Sequence, residues 1–394
     1  MNGPLEGIKV VEFGNLIAGP YCSMLLADMG ADVTKIESRG GDLARSFGPY
    51  LDGTSYYFAA INRGKKSAVI NPRADGSKEW VRKLCVEADV VVHNLRHGAM
   101  QRAGLGYEDL VEENPGLVYA EISAFGSSGP DAERAGIDII FQGESGMMGL
   151  SGEEGAPPAK TATTVADYMA GTNAAMGVAA ALAGRASTGK GSKVEVSLRD
   201  GVIAIQSSWN AMYFATGEQP GRIGTGSWFT APTETYATAD GHFNLAIVSD
   251  GHFKILCETL GLDIVADPRF ATNEARVEHR TALADLVKPL FASESTDTWI
   301  ERLHEIGLPA GRLMTMQEVF DDPQVQHNQM RVELPTGKGP VPVTGSPIHL
   351  DGEPAISLVS PPMLGEHTQN VLESLGASAD EIAELQAAGE IALG

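Results

Sequence analysis

Residues 8–36 read IKVVEFGNLIAGPYCSMLLADMGADVTKI and contain the alternation on which the fold prediction rests. Residues 8–13 and 32–36 are short runs rich in β-branched side chains, which is typical of strands. Between them, the glycines and proline of residues 14–20 indicate a turn, and residues 21–29 indicate a helix that ends before Gly30. This order predicts two parallel strands joined by a helical crossover.

The same alternation continues to about residue 200. Further strands are predicted at residues 67–70, 89–93, 117–122 and 193–198, and further helices at residues 76–87, 172–185 and 200–216. Residues 217–232 are rich in Gly, Pro, Thr and Ser, as in a linker or an active-site loop. A hairpin around Asp240 and Gly241 then opens an α+β segment. The first half therefore predicts a parallel sheet covered on both faces.

Composition limits the partners of this chain. Its 394 residues include 51 acidic and 29 basic side chains, and the formal net charge of −22 disfavours binding to nucleic acid or an anionic membrane. The three cysteines are far apart, so neither a disulfide framework nor a zinc site is expected. The amino-terminal residues lack a signal-peptide pattern, and the longest small apolar run is too short to span a bilayer. A cytoplasmic location is expected.

The first strand, turn and helix also invite comparison with a dinucleotide-binding unit. Glu37 ends the second strand, where an acidic residue would bind a ribose. The turn from Gly14 to Gly19 lacks the middle glycine of the GxGxxG pattern, however, so the backbone cannot approach a pyrophosphate in the usual way. This pattern disfavours NAD binding.

Two short basic segments lie next to predicted strands. Residues 62–66 read NRGKK before one strand, and residues 94–98 read NLRHG after another, with Arg102 one turn later. Such cations in an acidic chain are suited to bind a phosphorylated ligand, because arginine forms bidentate contacts with phosphate. Spacing alone fits ordinary surface side chains equally well.

Residues 164–171 read TVADYMAG at the start of an Ala-rich helix. An aspartate in this setting is most often an N-cap. Asp167 is also a candidate carboxylate nucleophile, because the helix N-terminus keeps it ionised and its small neighbours leave room for a substrate. The spacing leaves both interpretations open.

The chain as a whole resembles the family III CoA-transferases, the family of formyl-CoA and carnitine CoA-transferases. The resemblance rests on nine segments in order, including residues 5–37 with the quoted βαβ unit, NRGKKSAVI, ADVVVHNLRHGAMQRAGLGYEDL, EISAFGSSGP, VADYMAG, TGKGSKVEVSLRDG and PPMLGEHTQNVLESLG. It implies a doubly wound α/β large domain formed by both chain ends, with a smaller inserted α+β domain. The implied parts are a large domain at residues 1–200, a linker at 201–224, a small domain at 225–320 and a return segment at 321–394. It also implies an interlocked homodimer.

The resemblance further implies roles for individual positions. Asp167 matches the family's catalytic aspartate. Positions that match CoA contacts are Asn15, Leu16, Ile17, Arg39, Lys65, Lys66, Asn94, Leu95, Arg96 and Arg102. Asp138 matches an acidic position near the acyl site, and Gly224 and Gly226 match loosely the glycine-rich lid. No metal and no tightly bound cofactor are implied, and CoA itself is a part of the substrate.

Two departures from the family pattern refine the functional prediction. The lid segment has only two glycines separated by a threonine, which disfavours oxalate or formate as substrates. Ile137 stands where the racemase branch has a histidine, so two-base racemisation loses one base. We therefore predict a CoA-transferase that uses acyl-CoA, for which succinyl-CoA is the expected donor, and a small carboxylic acid. A 2-methylacyl-CoA racemase or epimerase and an inactive acyl-CoA-binding paralogue are the alternatives.

Overall fold

The computed structural model describes residues 3–51, 53–336 and 339–394. In chain order its strands are β1 Lys9–Phe13, β2 Asp32–Glu37, β3 Tyr50–Leu51, β4 Thr54–Ser55, β5 Lys65–Ile70, β6 Val90–His93, β7 Val118–Ser123, β8 Lys193–Ser197, β9 Thr233–Ala237, β10 His242–Ala246, β11 Ala310–Arg312, β12 Arg331–Leu334, β13 Val341–Thr344, β14 His349–Leu350, β15 Glu353–Pro354 and β16 Ile391–Ala392. Its helices are α1 Ala18–Asp28, α2 Tyr56–Asn62, α3 Lys78–Val86, α4 Ala99–Arg102, α5 Tyr107–Val111, α6 Asp138–Glu144, α7 Met147–Leu150, α8 Val165–Thr188, α9 Leu198–Ile205, α10 Ser207–Thr216, α11 Asp250–Leu260, α12 Asn273–Glu278, α13 Arg280–Phe291, α14 Thr296–Glu305, α15 Met316–Asp321, α16 Pro323–His327, α17 Thr368–Ser374 and α18 Ala379–Ala387.

A mixed but mainly parallel sheet forms the centre of the fold. Within the described residues, seven strands form it in the order β16, β5, β2, β1, β6, β7 and β8. Neighbouring strands run parallel, except that the short β16 pairs antiparallel with β5. The chain leaves β1 toward β2 and β5 and then returns to the other side of β1, so the strand order reverses between β1 and β6. The predicted α/β fold with a parallel-rich sheet is confirmed.

Both faces of this sheet are buried. Successive side chains of a strand point to opposite faces, so Val10 and Val11 of β1 enter different cores. Val10 packs in a cluster with residues of α1 and α8, and Val11 packs in a cluster with residues of α3, α17 and α18. The carboxyl-terminal helices therefore complete one of the two cores.

Helix α8 approaches α1 closely at a glycine. A Cβ atom on Gly171 would lie 2.8 Å from the carbonyl oxygen of Ala18 and 3.1 Å from Cδ1 of Tyr21, so a larger side chain would push the helices apart. Tyr168, in the first turn of α8, packs with Leu16 in one apolar cluster. This approach brings the start of α8, which carries Asp167, beside the residues that follow β1.

One predicted helix is two helices in the structure. Residues 200–216 were expected to form a single apolar helix, but α9 ends at Ile205 and α10 begins at Ser207. At the junction, Nε2 of Gln206 donates to the carbonyl oxygen of Val202 at 2.9 Å and to that of Ser145 at 3.2 Å. The break depends on this contact with the end of α6, which apolar periodicity cannot reveal.

The chain divides into two compact units. The first contains residues 1–147, 161–211 and 322–394, and the second contains residues 148–160 and 212–321. In the second unit, β9 and β10 form an antiparallel hairpin at the expected place, and β11 pairs with β10. The family resemblance implied that residues 148–160 belong to the large domain, but they cluster with the second unit. The N–H of Gly224 donates to the carbonyl oxygen of Gly152 at 2.9 Å, which explains that association.

Candidate active site

Asp167 lies in the first turn of helix α8, three residues after the N-cap residue Thr164. It is therefore not the N-cap itself, which was the alternative interpretation of this aspartate. Its side chain is half-buried, among the small residues Ala166, Ala170 and Gly171 of the same helix. A carboxylate at this position lies at the positive end of the helix dipole and keeps some access to solvent.

Asp138, the first residue of α6, performs the capping role from another helix. One carboxylate oxygen accepts the N–H of Ala166 at 3.0 Å, and the other accepts from Nε2 of Gln142 at 2.7 Å. The side chain is 6% exposed, so these contacts occupy a nearly buried carboxylate. The structure thus places Asp138 next to the catalytic candidate, as a residue that holds the start of α8. Ile137, directly before it, is exposed.

The environment of Asp167 raises its pKa. Burial disfavours the charged form and is the main cause, and the negative charge of Asp138 acts in the same direction. A hydrogen bond from its own backbone N–H opposes both effects, and the resulting pKa is about 6. The carboxylate is therefore ionised at neutral pH, yet it is much more basic than an ordinary aspartate.

An apolar cluster with two tyrosines close to Asp167 forms beside the start of α8. Leu16, Tyr21, Tyr57 and Tyr168 pack on a cluster of the buried residues Ile17, Met24 and Ile61. The rings of Tyr21 and Tyr168 meet edge to face, with their centroids 4.8 Å apart. Burial raises the pKa of Tyr57 and of Tyr168, and the charge of Asp167 adds to both shifts. Sequence analysis missed Tyr57, because nothing in its surrounding residues marks it as part of a site.

The loops that follow β1 and β6 meet where the strand order reverses. The N–H of Asn15 donates to Oδ1 of Asn94 at 2.9 Å, and Nδ2 of Asn94 donates to the carbonyl oxygen of Asn15 at 2.9 Å. Ligands of doubly wound sheets usually bind at this reversal, outside the carboxyl ends of the strands. Of the predicted residues, Asn15, Leu16, Ile17, Asn94 and Leu95 all belong to these two loops.

A cavity of about 410 Å³ opens at the same edge of the sheet. Its volume lies within the range of small-molecule sites. Three predicted residues line it, namely Asn15, Arg39 and Leu95. The other lining residues were not among the predicted site residues. They come from the ends of β1, β2 and β5, from the segments that follow these strands and from the carboxyl-terminal segment: Phe13, Gly14, Ile36, Glu37, Ser38, Gly41, Asp42, Val69, Ile70, Asn71, Pro72, Gly389 and Glu390. The carboxyl ends of parallel strands meet at one edge, so the residues after β5 could have been included by the same reasoning as those after β1.

Three of the predicted cations lie in segments that follow strands at this edge, and one of them, Arg102, is the last residue of helix α4. Arg39 follows β2 and donates to the carbonyl oxygen of Ile391 at 3.1 Å. Arg96 and Arg102 follow β6, and both are exposed, with Arg102 donating to the carbonyl oxygen of His97 at 3.3 Å. These guanidinium groups are accessible to an anionic ligand.

Lys65 and Lys66 lie elsewhere, at the amino end of β5. Lys65 is buried, and its Nζ donates to Oε2 of Glu12 at 2.8 Å, to the carbonyl oxygen of Pro20 at 2.7 Å and to Oδ1 of Asn62 at 2.9 Å. Lys66 pairs with Asp32 at 2.7 Å at the opposite edge of the sheet from the cavity. The expectation that they share one phosphate site with the arginines is therefore corrected. Lys65 is the first residue of β5 and therefore lies at the amino edge of the sheet. Its partner Glu12 lies on another strand, β1.

Gly224 and Gly226 belong to the second unit. Gly224 has a φ of 62°, a left-handed conformation that suits glycine, and the N–H of Gly226 donates to the carbonyl oxygen of Ile223 at 3.1 Å. The side chains of Arg222 and Arg280 also bind backbone oxygens of this unit, with Arg280 donating to Ser227 at 3.3 Å. The loop is thus tied to its own unit by several hydrogen bonds.

The described residues contain neither a cluster suited to a metal ion nor a helix suited to span a membrane. In residues 3–51, 53–336 and 339–394, no group of three or more His, Cys, Asp or Glu side chains is arranged to hold a metal ion. No helix in the same described ranges has both the length and the apolar character needed to cross a membrane.

Known proteins place this chain in a family. Residues 5–368 match the sequence model of CoA-transferase family III. A succinate–glutarate CoA-transferase from Agrobacterium fabrum is 38% identical over 382 residues, which cover 94% of this chain and 96% of the relative. An acetyl-CoA:oxalate CoA-transferase from Acetobacter aceti is 34% identical over 353 residues, which cover 89% of this chain and 90% of the relative. A CAIB/BAIF family protein from Brucella suis has a crystal structure with a TM-score of 0.84 at 38% identity, covering 95% of this chain and 100% of that one.

The chain belongs to CoA-transferase family III. The resemblance seen in the sequence and the predicted class of enzyme, a CoA-transferase, are both confirmed.

Proposed function

We propose that this protein moves CoA from an acyl-CoA donor to a carboxylic acid, with Asp167 as the covalent nucleophile. The observation that carries the proposal is the setting of Asp167. It is a half-buried carboxylate with a pKa of about 6, in the first helical turn beside the loop that follows β1. A carboxylate that is ionised at neutral pH and only partly solvated is suited to attack a thioester.

The first half of the reaction removes the acyl group from CoA. A carboxylate oxygen of Asp167 attacks the thioester carbonyl of the donor, the C–S bond breaks, and a mixed anhydride and CoA thiolate form. The thiolate then attacks the aspartyl carbonyl of the anhydride and releases the donor acid as a carboxylate. The product is an aspartyl-CoA thioester, so the energy of the thioester bond is retained.

The second half repeats these steps in reverse with the acceptor acid. Its carboxylate attacks the aspartyl-CoA thioester, and a new mixed anhydride and CoA thiolate form. The thiolate attacks the acyl carbon of the acceptor, which gives the new acyl-CoA and frees the carboxylate of Asp167. The positive end of the α8 helix dipole is proposed to stabilise the developing oxyanions.

The CoA moiety is proposed to bind at the carboxyl edge of the sheet. Asn15 and Leu95 line the cavity there, and the guanidinium groups of Arg39, Arg96 and Arg102 are proposed to bind the phosphates. Arg73, two residues beyond the lining residue Asn71, is exposed at the same edge and joins this set. Lys65 and Lys66 are left out because one is buried against Glu12 and the other lies at the opposite edge.

Succinyl-CoA as the donor and a small dicarboxylic acid as the acceptor are the proposed substrates. The name of the Agrobacterium relative contains both succinate and glutarate, and this supports the proposal. The most direct test is a panel of acyl-CoA donors and carboxylic acids, with the CoA esters followed by mass spectrometry. New CoA esters that form only when both a donor and an acid are present are the expected result.

A homodimer in the cytoplasm is proposed as the working state. Apolar side chains on three helices of the first unit are exposed in the single chain: Ile139, Ile140, Met176, Ile203 and Ile205. Such surface is typical of a protein interface, and a second copy of the chain would cover it. Light scattering on the purified protein is expected to give twice the monomer mass.

Racemisation of a 2-methylacyl-CoA is the competing reaction. It needs an acid and a base on opposite faces of the α-carbon. Ile137 cannot exchange a proton, and the carboxylate of Asp138 is engaged by Ala166 and Gln142. Incubation of a chiral 2-methylacyl-CoA in deuterated water distinguishes the two reactions. Acceptor-dependent exchange with the α-hydrogen retained is expected, whereas rapid deuterium uptake without any acid would favour the racemase. An inactive paralogue would do neither.

A further inference from the structure

The loop of residues 14–17 is held by side chains from three other parts of the chain. Nζ of Lys35 donates to the carbonyl oxygen of Gly14 at 2.8 Å. Asn94 binds both the N–H and the carbonyl oxygen of Asn15, and Oδ1 of Asp42 accepts the N–H of Leu16 at 2.9 Å. Three successive residues of the loop are thus each held by a side chain distant in sequence.

Leu16 has an unusual backbone conformation. Its φ is 62°, in the left-handed region that side chains other than glycine rarely adopt. A residue keeps such a conformation only when its surroundings enforce it. The leucine side chain packs in the cluster that contains Tyr57 and Tyr168, next to Asp167. The backbone of Leu16 therefore sets where the leucine side chain joins that cluster.

Asp42 is well placed to enforce this conformation. It is one of the residues that line the cavity but is only 3% exposed, and the oxygen that accepts from Leu16 also accepts the N–H of Ala44 at 2.9 Å. Its second oxygen lies 2.8 Å from Nζ of Lys35, and its own N–H donates to Oε2 of Glu37 at 2.8 Å. A buried carboxylate held by a lysine and two backbone donors has little freedom to move.

We propose that Asp42 is a positioning residue for the acyl-CoA site. It holds the backbone of Leu16 in the left-handed conformation, and thereby sets the position of Asn15 at the cavity and of the apolar cluster beside Asp167. This inference rests on the proposed function, because the loop matters only if the cavity binds CoA. Without the carboxylate, Leu16 relaxes to an ordinary conformation and the loop no longer matches the ligand.

The test compares CoA affinity in four variants by calorimetric titration. Asp42→Ala is expected to raise the CoA dissociation constant about tenfold, which corresponds to about 1.4 kcal/mol. Asp42→Asn keeps an oxygen for the N–H of Leu16 and is expected to retain most of the affinity. Adding Leu16→Gly to Asp42→Ala is expected to restore part of it, because glycine adopts the left-handed conformation without strain.

Asp28→Ala is the matched control for a loss of stability alone. Asp28 is also a buried carboxylate that pairs with a cation, Arg63 at 2.6 Å, and accepts a backbone N–H, that of Ser357 at 2.9 Å. It does not touch the loop of residues 14–17 through either of these contacts, so its variant is expected to bind CoA like the wild type at a temperature where both are folded.

The outcomes separate two questions. Unchanged CoA affinity in Asp42→Ala, or no recovery in the Asp42→Ala, Leu16→Gly double variant, would overturn the role of Asp42. Should Asp42→Ala fail to fold, weak binding by the folded Asp42→Asn protein would overturn it instead. A wild-type protein that binds no CoA would overturn the proposed function itself. Hydrogen exchange then still tests the loop, since the Leu16 amide is expected to be protected in the wild type and not in Asp42→Ala.

Discussion

Asp138 accepts the backbone N–H of Ala166 at 3.0 Å, and its negative charge helps to raise the pKa of Asp167, the next residue in the helix. One carboxylate therefore caps the helix that carries the other. Burial is the larger cause of the shift, and together these effects bring the pKa of Asp167 to about 6. A nucleophile with a pKa near the working pH is both available as the anion and reactive.

Asp167→Asn is expected to lower the rate of CoA exchange by about three orders of magnitude or more, because the amide cannot form the anhydride. CoA binding should remain. Hydroxylamine added during turnover is expected to convert the wild-type aspartyl thioester to a hydroxamate at Asp167, which peptide mass spectrometry would locate. Asp200→Asn is a suitable control, because Asp200 occupies the same position in the first turn of α9 and is mostly exposed. Substantial exchange by Asp167→Asn would contradict the covalent mechanism.

The pH dependence of kcat/KM should show an ionisation near pH 6. Below that pH Asp167 is protonated and cannot attack, so activity is expected to rise as the pH increases through about 6. Asp138→Asn keeps an oxygen acceptor for Ala166 but removes the charge, and it is expected to move this midpoint to lower pH. A profile that is flat between pH 5 and 7 in the wild type would argue against Asp167 as the titrating group.

The same pKa shift predicts a gain in stability for Asp167→Asn at neutral pH. The pKa of Asp167 is raised on folding from 3.8 to about 6, so the folded state loses stability as the pH rises through this interval. Two pKa units correspond to about 3 kcal/mol, and partial exposure of the carboxylate reduces the expected gain to about 1 kcal/mol. Urea unfolding should show this difference above about pH 6 and its loss below about pH 4. An equal difference at both pH values would exclude the ionisation as its cause.

Glu12→Gln is expected to destabilise the fold strongly. The carboxylate of Glu12 is fully buried between Lys35, at 2.6 Å, and Lys65, at 2.8 Å. Removing its charge leaves two buried lysines without their shared partner, which should lower the free energy of unfolding by about 3–5 kcal/mol. Asp75→Asn, which breaks an exposed pair with Lys78, should change it by less than about 0.5 kcal/mol. Similar unfolding curves for the two variants would contradict the assigned role of Glu12.

Arg102→Ala and Arg39→Ala are expected to weaken CoA binding by about 1–3 kcal/mol each, as for a lost charge-assisted contact. The affinity of the wild type should fall as salt is added, because part of the attraction is electrostatic. Lys66→Ala should bind CoA like the wild type, since Lys66 lies at the amino edge of the sheet. Calorimetric titration at low salt measures the CoA affinity of these three variants. A loss of CoA affinity in Lys66→Ala alone would place the phosphates at the amino edge of the sheet instead.

Much of the site could be predicted from local patterns. The small residues around Asp167 and its place at the start of a helix mark it as a candidate nucleophile, and Asn15 and Asn94 follow recognisable strands. Tyr57 could not be found in this way. Its relevance depends on helix α2 contributing to the cluster with Leu16 and Tyr168, which is a matter of packing between distant segments.

The sequence by itself determined the alternation of strands and helices, the parallel α/β fold and the family, because hydrophobic periodicity, turn residues and motifs are local properties of the chain. Only the tertiary structure decided which charges are available. Lys65 and Arg102 look alike in the sequence, yet Lys65 is 53 residues from the glutamate that binds it, and Arg102 is exposed. Likewise, the pKa of Asp167 depends on burial and on Asp138, which another helix supplies. Ion pairs and desolvation are set by strand register and helix packing, which no short stretch of sequence records.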